Sequence, residues 1–153
     1  IRRAEVFANK GGVDVDYVQS SPEKNIWQII SVVQLEGIVP DKNTFIGSKI
    51  SMHVAASNPL SIDKEGIKKE IIDKELEIIK AEISNSGKPD KMVDKIANGK
   101  ISKFLNDNSL LNQIWIMDPK KKVLDVVKEN SIEKTIKILD FVRYKVGEGV
   151  WSE

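Results

Sequence analysis

Ile26-Trp27-Gln28-Ile29-Ile30-Ser31-Val32-Val33-Gln34-Leu35 is the stretch on which the fold class turns. It is β-branched and apolar with polar interruptions, which predicts a well-buried strand, closed by Glu36-Gly37. Upstream, Ser20-Ser21-Pro22-Glu23 is a turn cluster. Before it, Gly11-Gly12 is a turn signal, and Val13, Val15 and Tyr17 alternate with Asp14 and Asp16. That period of two predicts a second strand, paired with the first.

Downstream the period lengthens. Thr44 suits a helix N-cap, and Ile46, Ile50 and Val54 recur at four-residue steps, predicting a short helix to about Ser57 that Asn58-Pro59 stops. Asp63 is expected to cap a second helix with a stripe of Ile67, Ile71, Ile72, Ile79 and Ile83, while Lys68, Lys69, Lys74 and Glu77 face outward. Ser86-Gly87-Lys88-Pro89 ends it, with glycine suited to the left-handed residue after a helix. Pro89 fits the first turn of a third helix carrying Met92, Val93, Ile96, Ala97, Ile101, Phe104 and Leu105. Asp118-Pro119 reads as the start of a short fourth helix with Val123, Leu124 and Val127, expected to form a hairpin with the third.

The chain then returns to a two-residue period from Thr135 to Val146. Ile136 and Ile138 are followed by Val142, Tyr144 and Val146, and the phase shifts around Leu139-Asp140-Phe141, so a strand with a bulge is expected, ended by Gly147-Glu148-Gly149. Strands at both ends with helices between them predict an α+β fold, in which small antiparallel sheets pack with helices and a helical hairpin protrudes.

Composition narrows the function. Hydrophobic residues make up 41% and charged residues 31% of 153, enough apolar material for a core. The 24 basic and 23 acidic residues leave a net charge of +1, whereas a nucleic-acid binder usually carries a strongly basic face, so direct nucleic-acid binding is not expected. The absence of cysteine removes disulfides and thiolate chemistry and fits a reducing compartment, with the cytoplasm expected. No apolar run is long enough to span a membrane. The chain begins Ile1-Arg2-Arg3 rather than with Met, which reads as a processed or truncated product.

A search for chemistry returns little. His53 is the only histidine; Ser51 or Ser57 lies near it, yet no glycine-flanked nucleophile turn or orienting acid accompanies them. A hydrolase centred on His53 therefore yields to a contact role. One histidine without cysteine falls short of a zinc site, and no phosphate-cradling glycine motif is present, so neither metal nor cofactor is expected. Lys120-Lys121-Lys122 reads as a solvated run. What remains is a protein-binding factor without catalytic residues.

Several segments resemble elongation factor Ts: Met52-His53-Val54-Ala55-Ala56-Ser57-Asn58-Pro59, Ser86-Gly87-Lys88-Pro89, Gly99-Lys100-Ile101-Ser102-Lys103-Phe104, Leu110-Leu111-Asn112-Gln113, and Phe141-Val142-Arg143-Tyr144-Lys145-Val146-Gly147-Glu148-Gly149. They occur in the family's order across nearly the whole chain. The resemblance implies a bacterial or organellar nucleotide-exchange factor that binds the GTPase elongation factor Tu and promotes release of GDP for GTP, with no bond made or broken. It implies partner contacts at His53, Met52 and Ala56. Contacts at Ile29 and Ile30 follow from the matching strand, where Ile30 stands in place of a family glycine.

The resemblance also divides the chain: residues 1–46 as the remainder of an N-terminal core subdomain, 47–86 with 135–153 as a C-terminal core subdomain, and 87–134 as a hairpin of the dimerisation type. Homodimerisation through the core or the hairpin is the rival expectation. The family's N-terminal helical module and its Thr-Asp-Phe-Val segment have no counterpart here, so binding with weak exchange is expected.

Overall fold

A computed structural model describes residues 13–19, 29–39, 42–43, 45–87 and 89–145. The fold is α+β. Strands β1 (Val13–Gln19), β2 (Ile29–Glu36) and β3 (Lys137–Lys145) form an antiparallel sheet in the order β1-β2-β3. Between β2 and β3 run four helices: α1 (Phe45–Ser57), α2 (Lys69–Asn85), α3 (Asp90–Asn108) and the short α4 (Val123–Glu129), with a 3-10 turn at Leu110–Asn112. By internal packing the chain divides into Ile1–Ala55 with Val127–Glu153, and Ala56–Val126.

In the first unit, β2 is the central strand, bonded on both edges. It pairs with β1 from Val13↔Leu35 to Gln19↔Ile29, and with β3 from Ile29↔Lys145 to Glu36↔Lys137. The expected bulge is present: Gln34 pairs with Asp140 and Leu35 with Ile138, leaving Leu139 as the extra residue. Asp140 secures the irregular backbone, its Oδ1 accepting the Phe141 N–H at 2.8 Å. Ser31, Val33 and Leu35, at a spacing of two, are fully buried on one face of β2.

Helix α1 contributes Ile46, Ile50 and Val54 to the same core, all but inaccessible, as their four-residue spacing requires. Its entry is fixed by Asn43, which is wholly buried. The Asn43 Oδ1 accepts the Val39 N–H at 2.7 Å and its Nδ2 donates to the Asn130 carbonyl at 2.9 Å. Gly37, after β2, has φ +85°, and a Cβ there would lie 2.2 Å from the Thr135 carbonyl oxygen. Only glycine fits both the backbone angle and the space.

The second unit begins in the last turn of α1. Asn58 takes φ 45°, the left-handed conformation asparagine tolerates, and Pro59 follows. Asp63 does not cap α2 as expected; its Oδ1 accepts the Gly66 N–H at 2.9 Å and closes a separate turn. Helix α2 starts at Lys69 without a side-chain cap. Gly87 sits at φ +69° as predicted, and the backbone N–H groups of Ser86 and Gly87 return to the Ile83 and Ser84 carbonyls.

The hairpin forms between α2 and α3, not between the third and fourth helices. Ile79, Ile83 and Ala97 are its buried centre, with Val93, Ile96 and Ile101 packed around them. The physical reason is length: the connection between α2 and α3 is a few residues, whereas α3 is separated from α4 by a 3-10 turn and an antiparallel turn. Ile71, placed in the α2 stripe by sequence, is exposed, as is Met92 of α3.

Helix α4 is shorter than expected. Asp118 closes a turn by accepting the Lys120 N–H at 3.0 Å, and the helix begins after Lys122, whose N–H donates to Asp125 Oδ2 at 3.0 Å, half of a capping box. The Thr44 cap, the Gly11-Gly12 and Ser20–Glu23 turns and the glycine-bounded end at 147–149 lie outside the described residues.

Candidate partner-binding surface

Helix α1 is held to the sheet by a reciprocal pair of hydroxyls. The Ser31 Oγ donates to the Ser51 carbonyl at 2.6 Å, the Ser51 Oγ donates to the Ser31 carbonyl at 2.9 Å, and the two oxygens lie 2.9 Å apart. Both serines are fully buried, so each bond is made away from water, where an unmade one costs most. The last turn of α1 is secured from β3, where Arg143 Nε donates to the Ala55 carbonyl at 3.0 Å. A guanidinium there satisfies a terminal carbonyl and meets the negative end of the helix dipole.

This clamp fixes the orientation of the Met52–Pro59 segment. His53 is fully buried, Met52 is half-buried and Ala56 exposed. Met52 and Ala56 are one turn apart on one side of the helix. The strand residues separate by the period of two: Ile29 is half-buried on the side of Ser31, and Ile30 is exposed on the other. The structure therefore groups Met52 with Ala56 and sets Ile30 on a different face of the sheet. Ser51 is two residues from His53 and its hydroxyl is committed to Ser31.

The second unit carries an apolar surface that periodicity along the helices did not reveal. Ile114 and Lys122 form an antiparallel bridge and Trp115 N–H donates to the Lys121 carbonyl at 2.8 Å, so 114–122 is a tight turn. Trp115 points inward, 5% exposed, while Ile114, Ile116 and Met117 are 62%, 40% and 45% exposed. The alternation out-in-out was the available signal. Such apolar residues beside lysines suit a protein partner more than a small ligand.

Gln113 anchors that turn from within. It is buried, its Nε2 donates to the Asp107 carbonyl at 3.0 Å, and its own carbonyl accepts the Val123 N–H at 3.0 Å. Among the described residues no group of three or more His, Asp or Glu side chains is placed to hold a metal ion, and no helix is long and apolar enough to cross a membrane.

The protein-family model described as Elongation factor TS matches residues 1–148. The chain belongs to the elongation factor Ts family. Elongation factor Ts of Zymomonas mobilis subsp. mobilis is 34% identical over 153 residues, covering 98% of this chain and 50% of the relative. That of Orientia tsutsugamushi is 37% identical over 153 residues, covering 98% and 49%. That of Hahella chejuensis reaches 42% over 111 residues, 72% of this chain and 37% of the relative. The chain spans about half the length of the first curated relatives it matches.

Four of the five segments that carry the elongation factor Ts resemblance include a backbone junction; the fifth, 99–104, lies within α3. Asn58-Pro59 ends α1, Ser86-Gly87 turns the hairpin, Gln113 ties the 114–122 turn, and Arg143 locks β3 to α1. His53, Val54, Ala55, Pro59, Leu110, Gln113 and Val142 of these segments are buried, and the exposed contact candidate Ala56 sits beside them.

Proposed function

We propose that this chain binds elongation factor Tu, the GTPase partner implied by its family, and acts as a nucleotide-exchange component without a chemical active site. The clamped α1 segment carries the reading: Met52 and Ala56 present one accessible helical face whose position Ser31, Ser51 and Arg143 fix. His53, enclosed in the free chain, belongs to the same patch as a positioning residue. Ile29 and Ile30 on β2 are further contacts, and the exposed Ile116 and Met117 offer a separate apolar one.

Exchange by such a factor is linkage. A protein that binds the nucleotide-free GTPase more tightly than its GDP form weakens GDP by the same factor, with no acid, base or cofactor required. The action is in the cytoplasm of a bacterium or an organelle.

Titration of elongation factor Tu loaded with a fluorescent GDP tests the proposal, since complex formation and GDP release are read separately. Saturable binding is expected, weakened at least about tenfold, or ~1.4 kcal/mol, by Ala56→Arg with the fold unchanged by circular dichroism. Binding with slow release would assign the exchange step to segments found in the longer relatives. No binding at concentrations on the order of 100 μM would overturn the proposal.

A further inference from the structure

Helix α3 ends on an acid. Asp107 is its penultimate residue and its last turn holds no basic side chain, although that end of a helix dipole is negative and favours cations. Lys103, one turn back, reaches the carboxylate only at 4.0 Å. Both side chains are largely exposed, 80% for Lys103 and 62% for Asp107, so the pair does little to offset the placement.

Asp107 lines a cavity of about 330 Å³ whose other walls are Ser57, Asn112, Gln113 and Ile114. All five residues belong to the second unit. Gln113 ties the cavity together: its Nε2 donates to the Asp107 carbonyl at 3.0 Å and reaches the Ser57 carbonyl at 3.5 Å, which holds the ends of α3 and α1 side by side. With those carbonyls engaged, the cavity presents the Asp107 carboxylate, the Asn112 amide and the Ser57 hydroxyl as acceptors. Ile114 supplies an apolar wall, and among the described residues no basic side chain lines the space. Such a lining suits a cation carried on an apolar stem.

The position of the cavity selects the source of that cation. Ser57 directly follows Ala56, and Ile114 is two residues from Ile116 on the outward side of the 114–122 turn. The cavity therefore lies between the helical contact at Ala56 and the apolar contact at Ile116 and Met117, and joins them into one surface.

We infer that the cavity receives an arginine side chain of elongation factor Tu, an assignment that rests on the proposed binding of that GTPase. The planar guanidinium carries five donors in a fixed fork, so it can meet the Asp107 carboxylate through two parallel bonds and still reach Asn112 or Ser57. Its methylene stem then lies along Ile114. A lysine would bring a single point charge and match this set of acceptors less well. The contact fixes the register of docking and makes binding sensitive to salt.

Titration of elongation factor Tu loaded with a fluorescent GDP by the full chain tests the assignment, with circular dichroism confirming the fold of each variant. At about 50 mM salt, Asp107→Asn should raise the dissociation constant about tenfold and Asp107→Arg at least about a hundredfold. The loss in Asp107→Asn should shrink as salt rises to about 500 mM, because screening removes from the wild type what the variant already lacks. Asp94→Asn, which removes an exposed acid near the start of α3, changes net charge equally and should leave binding unchanged. Among single arginine-to-glutamate variants of elongation factor Tu, one should bind the Asp107→Arg chain more tightly than it binds the wild type. Indifference of binding to Asp107→Arg, an equal loss in Asp94→Asn, or the lack of any compensating arginine variant would overturn the inference and leave the proposed function standing. Absence of binding by the wild type would overturn both.

Discussion

Gly37 and Gly87 are both left-handed, with φ of +85° and +69°, but only Gly37 is crowded. Alanine at Gly87 pays the backbone strain alone, about 1 kcal/mol. Alanine at Gly37 adds a collision with the Thr135 carbonyl and should cost about 2–4 kcal/mol, a difference that urea unfolding of the two variants would resolve. The serine clasp gives a second expectation at this scale. Ser31→Ala and Ser51→Ala should each cost about 1–3 kcal/mol, and the double variant less than the sum, because each single change strands the other serine's buried groups. Strict additivity in a double-mutant cycle would mean that the hydroxyls do not act as a pair. Sequence drew attention to Ser51 only as a neighbour of His53, since a contact between residues twenty apart in sequence leaves no local pattern.

At the scale of elements, periodicity located the strands and helices well and misplaced helix starts. Starts depend on single side chains whose partner can change: Asp63 and Asp118 each close a turn where they were expected to open a helix. The bulge in β3 was legible because one extra residue shifts the phase of a two-residue pattern. The end of α1 depends on a different strand altogether. Removing the Arg143 guanidinium with Arg143→Met should cost about 1–2 kcal/mol and speed amide exchange in the last turn of α1, with little change in α2. Equal exchange in α1 of both proteins would show that the bond adds nothing to that turn. Since Ala56 lies in this turn, the variant should also bind elongation factor Tu more weakly under the proposed function.

Across the whole molecule, the 24 basic and 23 acidic residues nearly cancel, and among the described residues no group of three or more His, Asp or Glu side chains is placed to hold a metal ion. If elongation factor Tu binds as proposed, the affinity ratio between its nucleotide-free and GDP forms fixes the greatest weakening of GDP this chain can cause. Family membership, the α+β class, the β3 bulge and the glycine at the hairpin turn were determined by the sequence alone, because each rests on local periodicity, on the allowed backbone angles of glycine, or on motifs in order. The pairing of α2 with α3, the enclosure of His53, the exposure of Ile116 and Met117 and the open space beside Gly99 were decided only by tertiary structure. An apolar or polar residue shows locally which face of its element it occupies; whether that face meets another element or water is set by what the rest of the chain brings against it.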